Sequence, residues 1–184
     1  MNQPRLFSGE QIRELILEVA EELESGQGQA AVVLVGGSLL AWHGLRYATE
    51  DVDSSLLLDE ELRVAVRRVA KRHQLTIDWL NDHAAPWHPE SLRREDCDVL
   101  LNHPRLLVLG APLVAVFLMK LNRSEPQDVL DMITIWPLVA AAWPTARDVT
   151  DAFYAAYPLE RHDPYLGGQV INIAQRAGST LPFE

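Results

Sequence analysis

Cysteine, lysine, basic charge and long apolar runs are all scarce in this chain. Cys97 is its only cysteine, which excludes an intrachain disulfide and any cysteine-based zinc site and fits the reducing cytoplasm. The longest apolar stretch, Leu106 to Met119, is interrupted by Gly110 and Pro112 and stops at Lys120, short of a membrane span. The N-terminus lacks the basic-then-apolar pattern of a signal peptide, so neither export nor membrane insertion is expected. Basic residues number 16 against 26 acidic ones, a formal charge of −10 that repels phosphate backbones and excludes broad coating of nucleic acid. A local basic cleft can still hold a nucleotide or an RNA end, because focused potential acts over short range. Lys71 and Lys120 are the only lysines, so the setting of each is informative.

What is present is ordinary for a folded domain. The chain has 184 residues, 48% apolar and 23% charged, and a domain of this size buries roughly 70% of its unfolded surface. Ser8 followed by Gln11 is a capping-box pattern, and Ile12, Leu15, Ile16, Val19 and Leu23 recur at helical spacing up to the breakers Gly26 and Gly28. Ala31 to Val35 reads as a buried strand ended by Gly36-Gly37-Ser38, with a short helix beginning at Leu39. Asp51 to Leu58 is strand-like, and Asp59 caps a helix with Leu62, Val66, Val69 and Ala70 on one stripe. A third strand is expected near Leu75 to Leu80, then a loop over Asn81 to Glu95. Val99 to Leu101 and Leu106 to Leu109 suggest a hairpin around Asn102-His103-Pro104. Pro112 and Pro126 open two helices, to about Arg123 and Ala142, and further Pro-containing turns break the tail into short helices. The expected class is α/β: a mixed β-sheet core with helices over residues 1–110, and a helical part over 111–184 packed on it, without an independent linker.

The segment from Val33 to Asp53 carries the chemistry. A strand that runs into Gly36-Gly37-Ser38 and then a helix offers backbone N–H groups and a hydroxyl to a phosphate, and glycine keeps the approach open. The plain alternative is a tight turn. Asp51 and Asp53 lie two apart, so on a strand their carboxylates face the same side. Such a pair suits Mg²⁺, or Mn²⁺, which takes hard oxygen ligands from carboxylates and completes its shell with phosphates and water. The alternative is a solvated turn at the strand start.

With Gly44, Arg46 and Thr49 between them, these elements form the pattern Gly-Gly-Ser, short helix, Gly-x-Arg-x-x-Thr-x-Asp-x-Asp. This resembles the active-site signature of the nucleotidyltransferase superfamily with the polymerase-β-like core. Ile77-Asp78-Trp79-Leu80-Asn81, and Phe117-Leu-Met-Lys120 followed by Asp128 and Asp131, narrow the resemblance to the small bacterial DUF6036 group. That group is related to the AbiEii toxins of toxin–antitoxin and phage-defence systems. The resemblance covers about Val33 to Ile135. It implies a nucleotidyltransferase-like fold, with Gly36, Gly37, Ser38, Arg46, Thr49 and Lys120 binding the nucleotide and its phosphates. Asp51 and Asp53 would be the catalytic metal ligands and Asp78 the third carboxylate, with Asp96 and Asp98 as competitors. Relatives carry an Ala-Arg pair between the lysine and the first aspartate, whereas here Arg123 comes earlier and Ser124-Glu125-Pro126 fills the place.

The activity implied is Mg²⁺-dependent transfer of a nucleotidyl group from an NTP to an RNA or protein hydroxyl, with a cognate antitoxin as a partner to look for. Two other uses of the same site stay open: an inactive binding or interaction module, and kinase-like phosphoryl transfer. Independently of the resemblance, Leu113, Val116, Phe117, Lys120 and Leu121 share a helix face, so Lys120 points among apolar residues and needs an anion. Substrate phosphate and Asp128 or Asp131 are the alternatives. Arg63, Arg67, Arg68 and Arg72 form a basic helix face, either solvated or facing RNA or an acidic partner. The six histidines have no metal-ligand spacing, and the five tryptophans are scattered as core or partner contacts.

Overall fold

The structure is a computed structural model that describes residues 5–24 and 28–184. Gly26, one of the two expected helix breakers, lies outside the described residues. The fold is mixed α/β, with seven α-helices and a small mixed sheet among the described residues. The chain divides into two compact units: the described residues of Met1–His88 with Arg94–Ala111, and Pro89–Arg93 with Pro112–Glu184.

In the first unit, α1 (Gly9–Glu22) starts at the expected capping box, in which the Ser8 hydroxyl accepts from Gln11 N and Gln11 Oε1 accepts from Ser8 N. Its buried stripe of Ile12, Leu15, Ile16 and Val19 packs against α2 (Gly36–Trp42) and α3 (Glu60–His73). Asp59 caps α3 by accepting from Leu62 N at 2.8 Å. β1 (Ala30–Leu34) pairs in parallel with β5 (Leu106–Gly110), and β5 pairs antiparallel with β4 (Asp98–His103), completing the expected hairpin.

Two strands are shorter than their apolar runs suggest. β2 (Val52–Asp53) pairs in parallel with β3 (Leu80–Asn81), and β2 meets β1 through one antiparallel bridge, Leu34 to Ser54. The Ser54 hydroxyl accepts from Leu56 N at 3.1 Å and donates to Leu56 O at 2.9 Å. This local turn competes with extended pairing and ends β2, so Leu57 is 76% exposed instead of entering the core. Residues 75–79 are irregular with a turn at Ile77 and Asp78, not a strand, and Ile77 is 72% exposed.

In the second unit, α4 (Leu113–Arg123), α5 (Pro126–Val139), α6 (Ala146–Ala156) and α7 (Leu166–Arg176) bury a common apolar core. Phe117 lies 5.5 Å from both Trp136 and Trp143, in tilted ring pairs. α5 stops three residues before Ala142 and continues as a 3₁₀ turn over Ala140–Ala142. Among the described residues no single helix is long and apolar enough to cross a membrane.

Candidate functional site

The site is built where the end of β1 turns into α2 beside β2. The bridge between β1 and β2 is antiparallel, so the residues after Leu34 run past those before Ser54, and Val35 N donates to Asp53 O at 3.2 Å. Along β2, Val52 and Ser54 are fully buried, whereas Asp51 and Asp53 are half-buried. This alternation of burial matches the same-side spacing expected of the two aspartates, with Asp51 in the bend just before β2.

α2 begins at Gly36 itself, earlier than the pattern suggests, with Val35 as its N-cap. Gly36 has φ +58°, a conformation that side chains disfavour. A Cβ there would lie 3.4 Å from Asp53 Oδ2. At Gly37 a Cβ would lie 2.8 Å from Thr49 Oγ1 and 2.9 Å from Arg46 Nη1. The two glycines therefore allow a carboxylate, a guanidinium and a hydroxyl to close around one backbone turn. Thr49 is held there by an isolated antiparallel bridge to Phe7, with N–O distances of 2.7 and 3.0 Å, and Arg46 Nε donates to Ala48 O at 2.9 Å. Gly36, Gly37, Arg46, Thr49 and Asp53 are thus brought together.

Ser38 plays a different part from the phosphate contact expected of it. It is fully buried, and its hydroxyl donates to Val35 O at 2.8 Å and accepts from Asp53 N at 3.3 Å. Both bonds are internal to the fold, and they hold β2 against the turn, which makes Ser38 a positioning residue for Asp53.

The third carboxylate is not assembled. Asp78 lies in an exposed turn before β3, and the register pairs Asp53 with Asn81. Asp78 therefore lies outside the paired residues of β3. Asn81 is buried and occupied locally, its Oδ1 accepting from His83 N at 2.8 Å and its Nδ2 donating to Asp78 O at 3.2 Å. Asp96 and Asp98 are exposed. Among the described residues no three Asp, Glu, His or Cys side chains gather as a metal-binding group. Sequence reasoning missed Asn81 as the residue in register with Asp53, because register depends on where two short strands begin.

Lys120, in the second unit, has the carboxylate partners that the sequence left as one alternative. Its ammonium is 3.0 Å from Asp128 Oδ1 and 2.6 Å from Asp131 Oδ2, with the lysine 3% exposed. Arg123, the arginine that departs from the family pattern, donates twice to Asp128 at 2.7 Å. Burial alone would raise the Asp128 carboxyl, but hydrogen bonds from Arg123 and the charge of Lys120 hold it below its ordinary value.

The basic face of α3 is matched by acids. Arg63 pairs with Asp82 at 2.5 Å and Arg67 with Glu60 at 2.5 Å, while Arg72 meets Glu18 at 2.6 Å and also bonds Glu22. Arg72 thereby ties α3 to α1, whereas Arg67 pairs within α3 and Arg63 with the segment after β3. Comparison of the chain with protein families, with curated proteins and with solved structures finds no match in any of the three.

Proposed function

We propose that the first unit binds a nucleoside triphosphate with a divalent cation and transfers its nucleotidyl group to a hydroxyl of RNA or protein. The observation that carries this reading is the closure of Asp53, Arg46 and Thr49 around Gly36 and Gly37. It combines a carboxylate of the kind that suits a cation, a guanidinium of the kind that suits a phosphate and a backbone approach that a Cβ would fill. The resemblance of residues 33–135 to the nucleotidyltransferase superfamily supports the same reading and suggests a nucleotidyltransferase-like fold.

Two half-buried carboxylates suit Mg²⁺, which commonly takes one or two protein carboxylates and completes its shell with phosphate and water. Asp51 and Asp53 would hold it. When bound, the cation lowers the pKa of the acceptor hydroxyl and neutralises charge on the transferring phosphoryl group. Arg46 and Thr49 orient the triphosphate over the glycine turn, and Ser38 keeps Asp53 in place. The acceptor oxygen bonds to the α-phosphorus as the bond to the β-phosphate oxygen breaks, pyrophosphate leaves and the hydroxyl proton passes to solvent.

A second reading is favoured by Asn81 standing in register with Asp53, where a carboxylate would complete a triad. In that reading the same site binds nucleotide without turnover, as a module in a larger assembly. Incubation with Mg²⁺, cellular RNA and each α- or γ-³²P-labelled NTP separates the readings. Transfer of α-label supports nucleotidyl transfer, transfer of γ-label alone indicates a kinase-like reaction, and binding without transfer supports the module. Asp53→Asn should weaken Mg²⁺-dependent NTP affinity by about tenfold or more, about 1.4 kcal/mol. Equal affinity with and without the cation would refute the metal site.

A further inference from the structure

A concavity lies where the start of α1 meets the end of α2. It is an open pocket of about 430 Å³, lined by Glu10 and Arg13 of α1, Trp42 of α2 and the following His43, Arg46 and Tyr47, with two glycines and an alanine completing the wall. The helices meet closely because α1 begins with glycine: a Cβ on Gly9 would collide with Ala41 O. Arg46 belongs both to this pocket and to the glycine turn, where its Nη1 is the group that a Gly37 Cβ would meet at 2.9 Å. A molecule in the pocket and a triphosphate at the turn would therefore meet the same side chain.

Arg13 singles the pocket out. Its Nη2 donates to Trp42 O at 2.5 Å, and its guanidinium carbon lies 4.7 Å from the centroid of the Trp42 ring. These contacts hold the group in place without neutralising it. Among the described residues no carboxylate pairs with Arg13, Glu10 included, whereas each arginine on the basic face of α3 has an acidic partner. A guanidinium carries five N–H donors in a fixed fork that matches phosphate, so a pre-positioned anion site remains. Tyr47 adds a flat surface, for it is 93% exposed and its ring has no aromatic partner among the described residues. Single-stranded nucleic acid stacks its bases on such rings.

An unneutralised cation and an exposed ring share one small pocket in a chain whose formal charge is −10, and together they fit a nucleotide unit. An acidic peptide would use the cation and leave the ring idle. We infer that this pocket seats one nucleotide unit of a single-stranded RNA acceptor, its phosphate on Arg13 and its base stacked on Tyr47, with Arg46 between the strand and the triphosphate. The inference rests on the proposed nucleotidyl transfer and chooses RNA over protein as the acceptor.

The test titrates a short fluorescein-labelled single-stranded RNA into wild type, Arg13→Gln and Tyr47→Ala at several salt concentrations, with unlabelled RNA, a nucleoside monophosphate and a polyglutamate peptide as competitors. Affinity for each Mg²⁺–NTP and the melting temperature are measured alongside. Tyr47→Ala should weaken RNA binding by about tenfold, within the worth of one stacked base, and keep the slope of log affinity against log salt. Arg13→Gln should weaken it too and flatten that slope by about 0.7, the share of one phosphate contact on a single strand. Neither variant should alter NTP affinity. With α-³²P-labelled NTP, Tyr47→Ala should raise the RNA concentration for half-maximal labelling and leave that for NTP as in wild type.

Because its ring stands in solvent, Tyr47→Ala should keep the wild-type melting temperature, so its RNA affinity is read on a folded protein. Wild-type RNA affinity in that variant would overturn the inference. So would an Arg13→Gln protein that melts lower yet keeps the wild-type salt slope, which would make the arginine only a brace between α1 and α2. Displacement by polyglutamate or by the monophosphate as readily as by unlabelled RNA would overturn it as well. In each of these cases NTP affinity that is intact in the variants and lost in Asp53→Asn would keep the nucleotide site, whereas failure of every NTP to bind would remove both.

Discussion

Replacing Lys120 by methionine keeps the length of the apolar stem and deletes the charge between Asp128 and Asp131. Breaking a buried ion pair by removing one partner costs about 3–5 kcal/mol, because the remaining charge has neither water nor a counter-ion. Here Asp128 keeps two hydrogen bonds from Arg123 at 2.7 Å, and Asp131 keeps the Gln127 amide at 3.0 Å. These residual partners place the expected loss near the lower end, about 3 kcal/mol. For a chain of this length each kcal/mol corresponds to about 2–4 °C, so the melting temperature should fall by about 6–12 °C.

Differential scanning calorimetry of Lys120→Met beside wild type measures this directly. In an Asp131→Asn background the same change should cost less, since the carboxylate that suffers most from losing its partner is already neutral. NTP affinity should stay as in wild type. A shift below about 2 °C together with weakened NTP binding would refute the argument and assign the lysine to substrate.

Three further outcomes follow from the first unit. Asp51→Asn relieves repulsion between two carboxylates on one side of β2, so the cation-free protein should melt at the same temperature or higher; a marked drop would make Asp51 structural. Gly37→Ala pushes a Cβ to 2.8 Å from Thr49 Oγ1, and because Thr49 is buried and pinned to Phe7 the cost should be about 1–3 kcal/mol, read by thermal denaturation. The hydrogen bond with His73 holds the Glu18 carboxyl below its ordinary value of 4.5, with burial opposing and Arg72 assisting. A depressed carboxylate contributes stability above its ordinary value and loses it as pH falls through the lowered one. The melting-temperature gap between wild type and Glu18→Gln should therefore be full at neutral pH and close on acidification, and a gap that widens in acid would contradict the pairing.

The sequence by itself determined the parts of this protein that local chemistry specifies. The Ser8 capping box, the Asp59 cap and Pro126 at the first turn of α5 each act within three or four residues, and each opens its helix where the pattern places it. The hairpin of β4 and β5 was legible for the same reason, since two apolar runs flank a short turn. The proximity of the Gly-Gly-Ser turn and Asp53 was legible as a motif, because a strand that turns into a helix and a second strand beside it fix both within about twenty residues.

Tertiary structure alone decided what depends on contacts distant in sequence. An apolar run shows that a strand is favoured but not where pairing stops, so β2 and β3 came out shorter than Asp51 to Leu58 and Leu75 to Leu80 suggested. Their register then put Asn81 opposite Asp53 and left Asp78 in a turn. Ser38 carries a hydroxyl that suits phosphate equally well, and only the approach of Asp53 N and Val35 O turned it into a brace for the strand. Periodicity showed that Lys120 needs an anion, whereas the packing of α4 on α5 supplied Asp128 and Asp131.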